Sequence, residues 1–482
     1  MILANLSLNL QLLYSLNQAF KMKKILFFLL ILSAAKALGQ NKQVLYDFAE
    51  LPQTLLLNPG AETNYKFHTG VPLLSGLSMD FGSSGAVLTD VFALDNKNIN
   101  DKIATVLKAL TTRDFLKINT QVEVLNLGFR VDDKTYFSFG FYEEIDAIGY
   151  YPKDGITMFY EGNDAYLNKS FSLGQLLYKL DAVGVIHAGI SKKVNDNLTL
   201  GGRFKVYSSA VNIESANNSG TFTTVRGTDN SYKHYLSNIN INTKSSGLYI
   251  KDSETDTYVI QDAGTIFGNT LLGGNLGIGI DFGVTYHITP QLKFSGSILD
   301  FGFINHKKNT LNLKANGSFV SEGIGFEYNP DNPSNYWGQI EGDFKEQVPI
   351  DTNKRSYISW RPTKLNAALK YRFKEIRRYN NRNSTFKDFY SDAIGVQLYY
   401  VFRPLNPQLA LTGFYQKAIT KNFQTKVTYT VDDFSNTNIG AGFSAQFGIV
   451  NLYGMLDNLL EYSNLSAANS LSLQVGINII IN

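Results

Sequence analysis

The sequence predicts an all-β fold, a transmembrane antiparallel β-barrel of about fourteen strands with long extracellular loops and one short helix. Three observations carry that expectation. First, the final segment Leu471-Ser-Leu-Gln-Val-Gly-Ile-Asn-Ile-Ile-Ile-Asn482 has a branched apolar residue at every odd position. Side chains alternate faces along a strand, so it has one apolar and one polar face, with only Ile480 interrupting the polar one. Its length is that of a tilted membrane-spanning strand, roughly 9–11 residues. Second, the alternation recurs upstream. Ile278, Ile280, Phe282, Val284 and Tyr286 alternate with Gly or polar residues, and the pattern returns at 365–373, 394–402 and 439–447. Asp281, Lys370 and Arg372 fall on the non-apolar face, which in a barrel lines the lumen. Third, the chain of 482 residues holds 28 Tyr, 33 Phe and 40 Gly, the residues that interfacial girdles and crowded strands consume. A soluble secreted sandwich would share the alternation; the number of long amphipathic strands favours the barrel.

The front of the chain reads as an export signal. Lys21, Lys23 and Lys24 precede the apolar run 25–35, which is too short to cross a bilayer as a helix. Ala37 and Gly39 suit cleavage before Gln40, so 1–39 is expected to be an upstream extension plus signal peptide, with the natural start at Met22. No cysteine follows, so a lipid anchor is excluded, and the absence of any Cys removes disulfide and thiol chemistry. Residues 40–65 are expected to form a periplasmic lead and 66–482 the barrel.

In order, the strands are expected at 66–81, 115–131, 135–150, 179–193, 197–213, 274–288, 291–304, 363–375, 391–403, 407–420, 423–431, 437–448, 449–457 and 470–482. Apolar parity flips between Val124 and Leu125, which predicts a bulge. Short turns at 132–133, 194–196, 289–290 and 421–422 fall on the periplasmic side, and the long connections 151–178, 214–273 and 305–362 fall outside. The Arg- and Asn-rich stretch 376–390 is the exception, long yet inside. Asn98 to Leu110 carries a helical apolar stripe; a packed loop helix is the simpler reading and a plug at one barrel end the alternative. The final strand should close the barrel against the segment near 66–81.

Four motifs stand out: Leu55-Leu-Leu-Asn-Pro-Gly60, Ile298-Leu-Asp-Phe-Gly-Phe-Ile-Asn-His-Lys-Lys-Asn309, Arg361-Pro-Thr-Lys-Leu-Asn-Ala-Ala-Leu-Lys-Tyr371 and Tyr453-Gly-Met-Leu-Asp-Asn-Leu459. In order and spacing they resemble an uncharacterised family of Bacteroidota outer-membrane proteins, a domain of unknown function, itself similar to the PorP/SprF proteins of type IX secretion and gliding. Two departures are visible: Gly60 stands where that pattern has Ala, and His306 and Lys307 where a Trp often follows. The motif positions Asn58, Pro59, Asp300, Gly302, Pro362, Thr363, Asp457 and Asn458 are read as structural punctuation rather than a binding site, since these residue types are common at turns and strand ends.

Chemistry is sparse. His68, His187, His234, His287 and His306 show no metal-ligand spacing, and no G-x-S-x-G elbow is present. His187 shares a strand face with Asp181, an arrangement more typical of a polar network than of a catalyst. The run 272–279 alternates Gly into a strand with no helix after it, unlike a phosphate cradle. Segments 252–256 and 329–334 offer oxygen ligands without an EF-hand pattern. The net charge of +3 gives no support to nucleic-acid binding. The expectation is therefore a non-enzymatic protein without cofactor or metal, in the outer membrane. Its partners are expected to be lipid and a periplasmic or surface protein. Its role is expected to be binding or scaffolding linked to type IX secretion or the cell surface. The alternative is a transport channel for hydrophobic or small molecules, like the fourteen-stranded fatty-acid-uptake barrels.

Overall fold

The computed structural model describes residues 42–48, 51–63, 65–228, 231–251, 258–321, 336–375 and 390–481. The export signal, the exceptional stretch after 375, and the oxygen-rich segments at 252–256 and 329–334 lie outside the described residues.

Every segment of alternating polarity forms a strand. They are β1 (Phe67–Gly70 continuing as Leu77–Ser83), β2 (Phe115–Asp132), β3 (Thr135–Tyr150), β4 (Tyr178–Lys193), β5 (Leu198–Ser215), β6 (Asn275–His287) and β7 (Leu292–His306). The series continues with β8 (Tyr357–Trp360 continuing as Lys364–Glu375), β9 (Tyr390–Val401), β10 (Gln408–Thr420), β11 (Phe423–Asp432), β12 (Asn438–Phe447), β13 (Val450–Asp457) and β14 (Ser470–Ile481). Each pairs antiparallel with its neighbour in sequence. The seam closes where β14 meets β1, with Phe67 opposite Ile481 and Leu77 opposite Val475. The result is a closed fourteen-strand antiparallel barrel without a free edge.

The face rule holds strand by strand. In β6, Leu276, Ile278, Phe282 and Tyr286 are exposed on the outer surface while Asn275, Asp281, Thr285 and His287 are buried inside. An apolar outer band around a polar interior is the outer-membrane type of barrel. No helix among the described residues is long and apolar enough to cross a membrane. The parity flip in β2 is a register shift between Glu123 and Leu125. Several short helices form rather than one. The helix expected over 98–110 spans Ile99–Ala109, with the Asn98 side chain accepting from the Asn100 N–H, and it packs in the β1–β2 connection beside Leu88–Phe92.

Two features depart from the expectations. The three long connections are not separate loops. Strands Ser170–Ser172, Ser219–Arg226, Tyr232–Ser246, Asn312–Ser321 and Ile350–Asn353 pair in that order, and Thr243–Ser246 pairs with the outer end of β5. They extend the wall beyond the membrane around their own small core of Ile239, Phe319 and Val348. The second departure concerns the segment before β1. Instead of a periplasmic lead over 40–65, its described part lies inside the barrel, and Val44, Leu45, Phe48, Leu51 and Leu55 are buried there. Five apolar side chains within twelve residues cannot remain in water without cost, and the lumen is where they find partners. Leu55 and Tyr65 pack on Tyr136 and Ile480, so the one apolar residue on the polar face of β14 has a contact.

Candidate functional site

The site is the lumen and the N-terminal segment that plugs it. Wall side chains grip the plug by its main chain and by its side chains. Lys426 Nζ donates to the Tyr46 carbonyl at 2.7 Å, Lys370 Nζ to the Asp47 carbonyl at 2.7 Å, and Ser297 Oγ to the Leu57 carbonyl at 2.6 Å. Arg203 reaches the carbonyls of Leu55 and Leu56, the latter at 3.2 Å. The short helix Thr54–Leu57 frees those last carbonyls, because a helix leaves its final four acceptors without internal partners. Side chains add specificity. Gln53 exchanges hydrogen bonds with Asn478 at 2.9 and 3.0 Å and donates to Glu123 at 2.9 Å. Asp47 lies between Lys293 and Lys370. Burial opposes its ionisation, yet the two ammonium groups outweigh burial and hold its carboxyl well below the usual carboxylate range.

Asn58, Pro59 and Gly60 press the plug against β5 and β6. Asn58 donates to the Val284 carbonyl at 3.1 Å and accepts from the Gly60 N–H at 2.9 Å. A Cβ on Gly283 would fall 2.0 Å from Asn58 Oδ1, and one on Gly201 would fall 2.0 Å from the Pro59 carbonyl. The departure at Gly60 has a physical reason too, since a Cβ there would lie 2.4 Å from the Gly283 carbonyl.

Above the plug a buried ion network crosses the lumen. Lys205 meets Asp281 at 2.9 Å and Asp300 at 2.6 Å, and Lys364 meets Asp300 at 2.9 Å. Arg361 pairs with Glu144 at 2.5 Å, Arg403 with Asp146 at 2.8 Å and Arg203 with Asp281 at 3.1 Å. Asp300 sits on a bulge with φ +58°, a left-handed conformation that Asp tolerates because its side chain can bond locally. That geometry turns the carboxylate inward, where the Tyr207 hydroxyl also donates to it at 3.2 Å. Gly302 and Gly279 lie under the Tyr207 ring, where a Cβ would collide with it. Pro362 and Thr363 occupy the interruption in β8 that separates Arg361 from Lys364, and both flanking cations enter the network. Asp457 and Asn458 stand apart at the outer end of β13, where left-handed Asn458 donates to the Ser470 carbonyl at 2.9 Å and turns the chain.

Between plug and network is a cavity of about 60 Å³, lined by Leu56, Leu57, Met79 and Leu299 as well as by Lys42, Asp80, Glu144 and Lys364. At about 10–15 Å³ per water this holds a few waters, far below the ~300–1,000 Å³ of a ligand pocket.

The histidines take no catalytic arrangement among the described residues. His187 stacks obliquely on Tyr142 and does not touch Asp181, which is bound to Asn212 at 2.7 Å. His306 bridges Ser246 and Ser359 at 2.7 and 2.8 Å, with no carboxylate bonded to it. No group of three potential metal ligands occurs among the described residues. The plug and the ion network escaped sequence reading. Inward charges were the available signal: Asp281, a member of the network, already falls on the lumen face of the sequence pattern.

The model of a family of unknown function, DUF5723, matches residues 59–457. No curated protein matches the chain. Among solved structures, the toluene transporter TbuX of Ralstonia pickettii aligns at 10% identity and a TM-score of 0.42, covering 93% of this chain and 99% of that one. A FadL homologue of Pseudomonas aeruginosa aligns at 10% identity and a TM-score of 0.41, covering 90% and 94%. Likeness of this degree fixes no ligand.

Proposed function

The chain belongs to the family of unknown function DUF5723, and from that premise we propose that it is a gated outer-membrane channel for small amphipathic solutes, closed at rest by its own N-terminal segment. The observation that carries this reading is the way the plug is held. Its contacts with the wall are non-covalent, and hydrogen bonds to the carbonyls of Tyr46, Asp47, Leu56 and Leu57 stand beside its side-chain contacts, so it can leave and return without rearranging the strands. The cavity is too small for a solute, but its mixed apolar and charged lining is what one would meet once the plug withdraws, and it suits solutes with both characters better than plain hydrocarbons.

The test uses a cysteine-free chain to advantage. Leu51→Cys reports plug exposure by maleimide labelling, and planar bilayers report conductance. Lys426→Gln, which removes the donor to Tyr46, is expected to raise both labelling and open-channel events. Plug labelling without any conductance would rule the channel out.

A second reading, a surface scaffold of the kind the PorP/SprF resemblance implies, has one feature in its favour. The long connections form an ordered five-stranded extension, which a protein partner could use. Membrane pull-down returning a stoichiometric partner would favour it.

A further inference from the structure

Tyr142 of β3, Val185 of β4 and Tyr207 of β5 are cross-strand partners that pack inside the lumen with Leu56 of the plug. Their chain neighbours Glu143, Gly184 and Ser208 therefore form the matching row on the outer surface, which Leu276 of β6 continues. This row lies within the apolar band. The next outward row towards the periplasm is Phe141, Ile186, Val206 and Ile278, and on the opposite side β3 still presents the exposed Ile145. A carboxylate on the lipid face of a barrel is destabilising, and Glu143 is met by another part of the chain. The end of the connection 214–273 folds back over it, as the helix Ala263–Gly268 and the irregular turn Asn269–Gly273. Thr270 Oγ1 donates to Glu143 Oε1 at 2.7 Å, and Ser208 Oγ donates to the Asn269 carbonyl at 2.6 Å. The contact with β4 is close, since a Cβ on Gly184 would fall 2.1 Å from the Thr270 carbonyl oxygen. The far side of the same strip is apolar. Phe267, Leu271 and Leu272 are 57%, 63% and 50% exposed. Leu272 has φ +64°, in the left-handed region that a residue with a Cβ rarely occupies.

We propose that Ala263–Gly273 is a lipid-immersed flap on the outer wall, with the acyl chains of the outer leaflet covering Phe267, Leu271 and Leu272. Lipid is the occupant because the surface is continuous with the lipid-facing side of the barrel. The strip runs directly into β6, whose first outward residues Leu276 and Ile278 are exposed in the same band. In water the turn would be unfavourable twice over, through a strained Leu272 and through two exposed leucines; burial in acyl chains removes the second cost. The polar groups of the strip point the other way, onto Glu143 and Ser208, as expected of a segment with wall on one side and hydrocarbon on the other. The connection between β5 and β6 thus has two environments. Its strands at 219–226 and 232–246 extend the wall into water, and its last part returns to the membrane and masks a carboxylate that would otherwise face lipid. This surface is independent of whether the plug moves.

The experiment uses the full chain, which has no cysteine of its own, in phosphatidylcholine vesicles at high lipid-to-protein ratio. Leu271→Cys carries an environment-sensitive fluorophore, and two quenchers are compared: phosphatidylcholine with a nitroxide on its acyl chain, and iodide in the water. Leu276→Cys in the apolar band and Lys314→Cys in the extension set the lipid and water limits. Leu271→Cys is expected to be quenched by the nitroxide lipid as strongly as Leu276→Cys, and by iodide several-fold less than Lys314→Cys. Iodide quenching equal to that of Lys314→Cys would place the strip in water and overturn the proposal. Protection from both quenchers would overturn it as well, because a second copy of the chain would then cover the surface. Should Leu271→Cys fail to form a heat-modifiable barrel, Phe267→Cys reports on the same face from the helix and is read against the same limits.

Discussion

Asp300 shows what one residue does at this site and how much of that a sequence reveals. Its type and place in the motif Ile298–Asn309 were legible, and punctuation was the natural reading of an Asp beside a Gly. In the structure it stands at a left-handed bulge of β7. What a single chain could not reveal is that the bulge aims its carboxylate at Lys205 and Lys364, which lie 95 and 64 residues away in sequence. Periodicity reports which face a side chain takes, not which strand's charge it meets across a lumen. Asp300→Asn separates the two roles, because Asn also tolerates the left-handed region while losing the charge. Lys205 retains Asp281 and Lys364 retains Glu144 at 3.5 Å, so the expected cost is below that of a wholly orphaned buried charge, about 1–3 kcal/mol. Urea unfolding in detergent micelles measures it; an unchanged midpoint would mean that the network contributes nothing to stability.

At the scale of elements, all fourteen spanning strands were legible because the period-two pattern is imposed locally by lipid on one side and a wet lumen on the other. The plug was not. Val44, Phe48, Leu51 and Leu55 fall three or four residues apart, as on one face of a helix, but such a spacing does not reveal that the face meets a barrel lumen. The segment's docking has a pH signature that follows from Asp47. A carboxyl whose docked-state value is depressed contributes fully above the ordinary carboxylate range, and loses that contribution only as pH falls through the depressed value. Docking through Asp47 should therefore be constant from about pH 8 to about pH 5, both above the unperturbed Asp value of about 3.9. The difference in Leu51→Cys labelling between the parent and Asp47→Asn, each expressed relative to the same cysteine in the urea-unfolded chain, is expected to stay constant across that interval. A difference that vanishes as pH drops towards 5 would show that the Asp47 carboxylate is not held in the docked state as its neighbours predict.

The whole molecule has two layers of stability with different solvents. The barrel is stabilised by lipid outside and by the plug and ion pairs inside. The extension beyond the membrane stands in water and relies on its own small core, in which Phe319 packs edge-on against Phe344 with ring centroids 5.4 Å apart. Long polar connections were visible in the sequence, but their mutual pairing was not, because residues 170–172 meet 219–226, and 232–246 meet 312–321, only through register across separate connections. The extension joins the barrel chiefly through Asn212–Ser215 at the outer end of β5, so losing its core need not reach the spanning strands. Phe319→Ala removes a 7% exposed aromatic ring, a change that typically costs about 3–5 kcal/mol in a packed core. A core of three fully buried residues has little reserve against that loss. Protease added outside intact cells is accordingly expected to cut the variant within 312–321 while sparing that strand in the parent, and the barrel should keep its heat-modifiable mobility on gels. Loss of the folded barrel in Phe319→Ala would instead show that extension and wall fold as one cooperative unit.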